Sequence, residues 1–186
     1  NMGKYKDAIE AYDKAIRLNP DYSNAYNNKG VSLENMGKNK EAIEALEKVT
    51  ELSKPEVVIY EAIGHCYDRL KNFAQARFYY RKASHLNQED GKIFYKIACT
   101  YFNEQQWESC IKQLEHAIKI HKPQPEYSLL MGECKMQLGL YKDAVQYFSN
   151  AVRLRSRNVA GWEALIRCLY KGGFNDEAME QVDAAL

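Results

Sequence analysis

The chain has 186 residues, 46% of them hydrophobic and 27% charged, so it carries enough apolar mass to bury a core. Its 26 basic and 25 acidic residues leave a formal net charge of +1, which gives no whole-chain attraction to nucleic acid or to an anionic membrane. No long uninterrupted apolar stretch occurs, so the sequence predicts no membrane-spanning helix.

Taken in chain order, the pattern predicts helices throughout. Residues 1–22 predict the tail of one helix and a complete second helix, with a turn at Gly3 between them. In residues 57–90, apolar side chains recur at three- and four-residue spacing on either side of a polar break at Lys71 and Asn72. Two helices of similar length joined by a short turn predict an antiparallel hairpin.

This hairpin pattern recurs every 34 residues, which predicts a solenoid of stacked units. The partition is a partial repeat at 1–22, full repeats at 23–56, 57–90, 91–124 and 125–158, and a truncated last repeat at 159–186. Equivalent turns carry Gly37, Gly139 and Gly173, where a left-handed residue would end the first helix of each pair. Neither end has a polar capping element, so we expect a fragment of a longer array, whose uncapped faces favour self-association.

Small and large residues alternate between the two helices of a repeat. Gly64 on the first helix and Ala76 on the second predict close helix approach, and bulky residues such as Tyr60 and Tyr80 are expected to fill the space opposite. The pattern assigns most of the tyrosines to the core.

Six of these positions together resemble the tetratricopeptide repeat (TPR) family. In residues 57–90 they are occupied by Tyr60, Ile63-Gly64, Tyr67, Ala76, Tyr80 and Ala83. The resemblance covers essentially the whole chain and implies an all-α fold, a right-handed superhelical array of antiparallel helix hairpins. Departures include Lys29 in place of a large apolar residue, Ser128 in place of the first aromatic and Lys135 in place of the second.

In this family the first helices line a concave groove, so the resemblance implies which side chains would meet a partner. The candidate peptide- or partner-binding residues are Asn27, Asn28, His65, Lys92, Tyr95, Lys96, Phe102, Leu129, Leu130, Glu133 and Met136. The apolar members of this set are expected to see water, and an exposed apolar patch flanked by charges suits an extended peptide or a partner helix. The alternative is that packing between repeats absorbs some of them.

No sequence signal indicates catalysis, a cofactor or a metal. Phosphate-loop, dinucleotide-binding and nucleophile-elbow strings are absent, and His65 and Cys99 share one repeat position but are too few for a zinc site. The other cysteines fit as small core residues, and unpaired thiols favour a reducing compartment, so we expect a cytoplasmic protein.

The sequence therefore favours a non-catalytic scaffold that binds a protein or peptide in the groove. Two alternatives stay open. One is a substrate-presenting arm of a larger enzyme or of a secretion or assembly machine. The other is an RNA-binding array using Lys92, Lys96 and the cluster Arg153, Arg155 and Arg157, although the stacked exposed aromatics of single-strand binding are missing there.

Overall fold

The structure is a computed structural model that describes residues 2–54, 56–122, 124–155, 157 and 159–185. These residues form eleven α-helices and contain no strand. The helices are α1 (Met2–Leu18), α2 (Ser23–Asn35), α3 (Asn39–Leu52), α4 (Val57–Arg69), α5 (Phe73–Leu86), α6 (Gly91–Asn103), α7 (Trp107–Ile120), α8 (Pro125–Gln137), α9 (Tyr141–Leu154), α10 (Val159–Gly172) and α11 (Asn175–Ala185). None of these helices is both long enough and apolar enough to cross a bilayer.

The chain divides into two compact units, residues 1–88 and 89–186. The first unit holds α1–α5 and the second holds α6–α11. Within each unit consecutive helices pack as pairs, and the first helix of one pair also touches the first helix of the next, as in α2 with α4 and α8 with α10. The all-helical prediction is therefore confirmed.

Tight turns join the two helices of each pair. Gly37, Gly139 and Gly173 have φ values of 74°, 75° and 82°, in the left-handed region that favours glycine. Lys71 and Gln105 occupy the same turn position with φ values of 58° and 59°. The left-handed turn is thus required by the hairpin geometry even where the sequence supplies no glycine.

Gly3 does not form the predicted turn, and this prediction is wrong. It lies inside α1, which begins at Met2. A glycine inside a helix costs only about 1 kcal/mol relative to alanine, so it does not by itself end one.

The predicted pairing of small and large residues is confirmed in detail. A Cβ atom added at Gly64 would lie 2.7 Å from Cδ1 and Cε1 of Tyr80, and one at Gly132 would lie 2.6 Å from Cε1 of Phe148. In the intervening repeat Ala98 shares a buried cluster with Leu114. In α2, α4 and α8 the first helix therefore approaches its second helix closely because the glycine has no side chain to keep them apart.

The departure at Lys29 has a structural explanation. Its counterparts Ile63, Ile97, Met131 and Leu165 are almost fully buried. The Lys29 ammonium instead reaches Asp13 on α1, with an Nζ–Oδ1 distance of 2.6 Å. An ion pair thus replaces an apolar contact at the interface between α1 and α2.

Candidate functional site

In the first unit, the predicted groove residues lie on the adjoining helices α2 and α4. Asn28 and His65 are exposed and Asn27 is half-buried. Asn27 lines a small cleft of about 130 Å³ together with Asn24 and Val58. The Asn27 amide at this cleft can both donate and accept hydrogen bonds.

His65 is held by the neighbouring first helix. Its Nδ1 lies 2.6 Å from Oε1 of Glu34, the penultimate residue of α2. Asp68, one turn further along α4, has an Oδ1 that is buried and makes no hydrogen bond. Burial raises the pKa of the Asp68 carboxyl, and the nearby His65 acts in the opposite direction.

In the second unit, the structure brings most of the remaining predicted residues together on α6 and α8, which touch each other. Lys92 is exposed, while Tyr95 and Lys96 on α6 and Leu129 and Leu130 on α8 are half-buried. The Tyr95 ring contacts the ring of Tyr127, with centroids 5.0 Å apart. Burial raises the pKa of the Tyr95 phenol well above its usual value, so this residue offers a neutral aromatic surface.

Phe102 lies at the other end of α6. Its ring meets the edge of Trp107 at a centroid distance of 5.2 Å, and both side chains are half-buried against the core of α6–α8. Part of the Phe102 ring is therefore used for packing within the repeat, and the rest is exposed to solvent.

Met136 was expected to see water, and this expectation is wrong. Its side chain is 5% exposed and belongs to the core formed by α8–α11, with Leu165 and Leu169 of α10. The residue is near the end of α8, where α10 packs across it. The alternative that packing absorbs some of the predicted apolar residues therefore holds for Met136.

Two ion pairs connect neighbouring first helices at groove positions. One is the pair of His65 with Glu34, and the other is the pair of Arg167 on α10 with Glu133 on α8. The sequence prediction named His65 and Glu133 but not the partner of either. Opposite charges at groove positions of consecutive repeats are the sequence signal that could have found both pairs.

The arginine cluster at the end of α9 is engaged within the chain. Arg153 donates to Oδ1 of Asn150 at 3.0 Å, and Arg155 lies 3.6 Å from Oε1 of Glu126. Such contacts to a neighbouring amide and carboxylate fit a solvated helix end, where cations also complement the helix dipole.

The cysteines are free in the described structure. Cys66, Cys110, Cys134 and Cys168 are buried, and Cys99 is half-buried. Burial raises the pKa of the Cys66 thiol to about 12. No group of three His, Cys, Asp or Glu side chains within the described part of the chain is arranged to hold a metal ion.

Comparison with known families agrees with this architecture. The family model described as "Psidin, N-terminal TPR repeats region" matches residues 1–133, and the model described as "Tetratricopeptide repeat" matches residues 129–186. The chain therefore belongs to the tetratricopeptide repeat family. No curated protein sequence matches the chain.

Solved structures share the fold at low sequence identity. A tetratricopeptide repeat protein from Parabacteroides merdae superposes with a TM-score of 0.82 at 18% identity, over 98% of this chain and 72% of that chain. A crystal structure of MamA gives 0.78 at 23%, over 83% of this chain and 91% of that one. YrrB, described as a TPR protein with an unusual peptide-binding site, gives 0.73 at 20%, over 95% and 91%.

Proposed function

We propose that the chain is a non-catalytic scaffold that binds a peptide segment or a partner helix on the face of its first helices. The observation that carries the proposal is the surface formed by α6 and α8. Half-buried Tyr95, Leu129 and Leu130 lie there on touching helices beside the exposed ammonium of Lys92. Apolar area next to a positive charge suits a segment with apolar anchors and an acidic residue.

The remaining candidate residues support this surface in different ways. Lys96 lies one turn along α6 from Lys92, and Glu133 is fixed by Arg167. Phe102 presents the part of its ring that Trp107 does not cover. In the first unit, we propose that Asn27, Asn28 and His65 make polar contacts with an extended segment, since amide and imidazole groups can both donate and accept.

A peptide-display selection on the whole chain tests the proposal. Wild type is compared with a double variant, Lys92→Glu with Leu130→Gln, which reverses the charge and makes the anchor surface polar at similar volume. The matched control is Lys142→Glu, the same charge reversal at an exposed position on the second helix α9. Equal helicity by circular dichroism must be established first for every variant.

We expect the selected peptides to bind wild type and Lys142→Glu equally and to lose at least tenfold in affinity for the double variant, about 1.4 kcal/mol. Peptides that bind all three proteins equally would move the site away from α6 and α8. A selection without enrichment would refute binding of linear segments on this surface.

A further inference from the structure

A second cleft lies in the first unit, away from the groove positions. It has a volume of about 500 Å³ and is situated between α3 and the turn that joins α4 to α5. Ile43 and Leu70 supply apolar walls, and Tyr67 supplies an aromatic one. Glu44 and Glu47 place two carboxylates at the same opening.

The carboxylate of Glu47 is tied to an aromatic pair. Its Oε1 accepts a hydrogen bond from the Tyr79 hydroxyl at 2.6 Å. The Tyr79 ring stacks on Tyr67, with centroids 5.6 Å apart and planes 13° from parallel. Burial, together with the Glu47 charge, raises the pKa of both the Tyr67 and the Tyr79 phenol. Both rings therefore stay neutral at physiological pH. The cleft therefore presents a carboxylate beside the face of a neutral ring, and both attract cations.

The chain itself shows what fills the corresponding place one repeat earlier. Asp13 stands 34 residues before Glu47, and it takes the ammonium of Lys29 at 2.6 Å. The residue equivalent to Lys29 in the next repeat is Ile63, which is fully buried and carries no charge. The repeat position that supplies a cation to Asp13 therefore supplies none to Glu47.

Tyr79 and the neighbouring rings of Tyr60 and Phe78 already hold one cation, the ammonium of Lys82. The Lys82 ammonium lies 4.6 Å from the ring centroid of Phe78, 5.3 Å from that of Tyr60 and 5.4 Å from that of Tyr79. A lysine of this chain thus holds each of these two places, Lys29 at Asp13 and Lys82 at the aromatic rings.

We propose that this cleft binds an arginine side chain of a partner protein, with the guanidinium between Glu47 and the ring of Tyr67. Arginine fits better than lysine because its planar fork can bond a carboxylate and stack on a ring at once. The volume exceeds that of one side chain, so an apolar neighbour of the arginine would lie on Ile43 and Leu70. Lys40 also lines the cleft, four residues before Glu44 on the same helix, a spacing at which the two side chains can pair, so we assign the guanidinium to Glu47.

The probe for this site is the dipeptide N-acetyl-leucyl-arginine amide, followed by amide chemical-shift changes in the ¹⁵N-labelled whole chain. The control probe carries citrulline, which has the shape of arginine without its charge. With the arginine probe we expect saturable chemical-shift changes in α3 and at the end of α4. The citrulline probe should bind with an affinity at least tenfold lower.

Three variants separate this site from a general charge effect. Glu47→Gln should weaken the arginine probe about tenfold, since a charge-assisted hydrogen bond becomes a neutral one. Glu51→Gln removes the same charge one turn further along α3, where Glu51 pairs with Lys48 outside the cleft, and should change nothing. Tyr79→Phe removes one internal donor to Glu47 and should strengthen binding about twofold or more.

Equal shifts with the citrulline probe, unchanged binding to Glu47→Gln, or no saturable shift around the cleft would each overturn the proposal. The site is independent of the surface on α6 and α8, so its failure leaves the proposed scaffold function standing. Thermal melts of the three variants verify that lost binding is not lost folding.

Discussion

Replacing Gly64 with alanine tests how tightly the two helices of a repeat are packed. The added Cβ would lie 2.7 Å from two ring atoms of Tyr80, whereas unstrained carbon atoms stand about 3.5–4.0 Å apart. The ring must therefore withdraw by about 1 Å, but Tyr80 is only 2% exposed and lies within the packed interior. Overpacking costs about 1–3 kcal/mol, and alanine returns about 1 kcal/mol through helix propensity, so we expect a net loss of about 1–2 kcal/mol.

The third repeat supplies a compensating change. There Ala98 and Leu114, the equivalents of Gly64 and Tyr80, are both fully buried in one cluster. Combining Gly64→Ala with Tyr80→Leu should therefore recreate a pair that the chain already accommodates. We expect the double variant to lose at least about 1 kcal/mol less than the sum of the two single variants.

The control is Gly30→Ala, where the added Cβ would meet Cγ of Leu46 at 2.6 Å. The aliphatic side chain of Leu46 can change rotamer more easily than the ring of Tyr80 can shift, so this variant should lose less stability than Gly64→Ala. Urea unfolding combined with hydrogen exchange over α4 and α5 measures the effect locally, since repeat arrays need not unfold in one step. A Gly64→Ala protein as stable as wild type, or additive losses in the double variant, would refute the packing argument.

Three further predictions follow from single sites. Lys29→Met alone should destabilise the protein, because it leaves Asp13 without its cation. The double variant Lys29→Met with Asp13→Leu should change the free energy of unfolding by less than about 1 kcal/mol or raise it, because apolar pairs commonly replace ion pairs without loss. Urea unfolding of both proteins checks this. Lys71→Gly and Gln105→Gly should each raise the free energy of unfolding by about 0.5–1 kcal/mol, because glycine adopts a positive φ without strain. A higher thermal midpoint of each variant checks this. The Cys66 thiol has a folded pKa of about 12 against an ordinary value of 9.0. The folded state therefore keeps its full stability below pH 9 and loses stability as the pH rises toward 12, because the thiol ionises more easily in the unfolded chain. Over that window the unfolding free energy of wild type should fall more steeply than that of Cys66→Ala.

The fold was predictable because its signal is redundant. A position such as that of Gly64 recurs in successive repeats with a small residue, and the matching large residue recurs 16 positions later. Errors arose where the repeat position alone does not decide the structure. Gly3 stands at the turn position but lies inside α1, and Met136 is covered by α10, whose path across α8 depends on packing rather than on periodicity.

The candidate site was predictable only as a set of positions. Helix periodicity shows which residues share a face, but not how far a side chain reaches. The contact of Glu34 with His65 spans 31 residues, and that of Tyr79 with Glu47 spans 32, so neither pair stands out within one helix. The cleft beside Glu47 depends on the same long-range contacts, and only the folded arrangement reveals it.

The ion pair of Lys29 with Asp13 limits how freely the repeats of this chain could be exchanged. A copy of residues 23–56 inserted after another repeat would bring its lysine to the residue that corresponds to Asp13. That residue is Glu47 or Glu115 after the first or third full repeat, which keeps an acidic partner, but Arg81 or Ser149 after the second or fourth. Repeats with the same backbone are therefore not equivalent modules, and only some orders of these repeats would leave the charge of Lys29 neutralised.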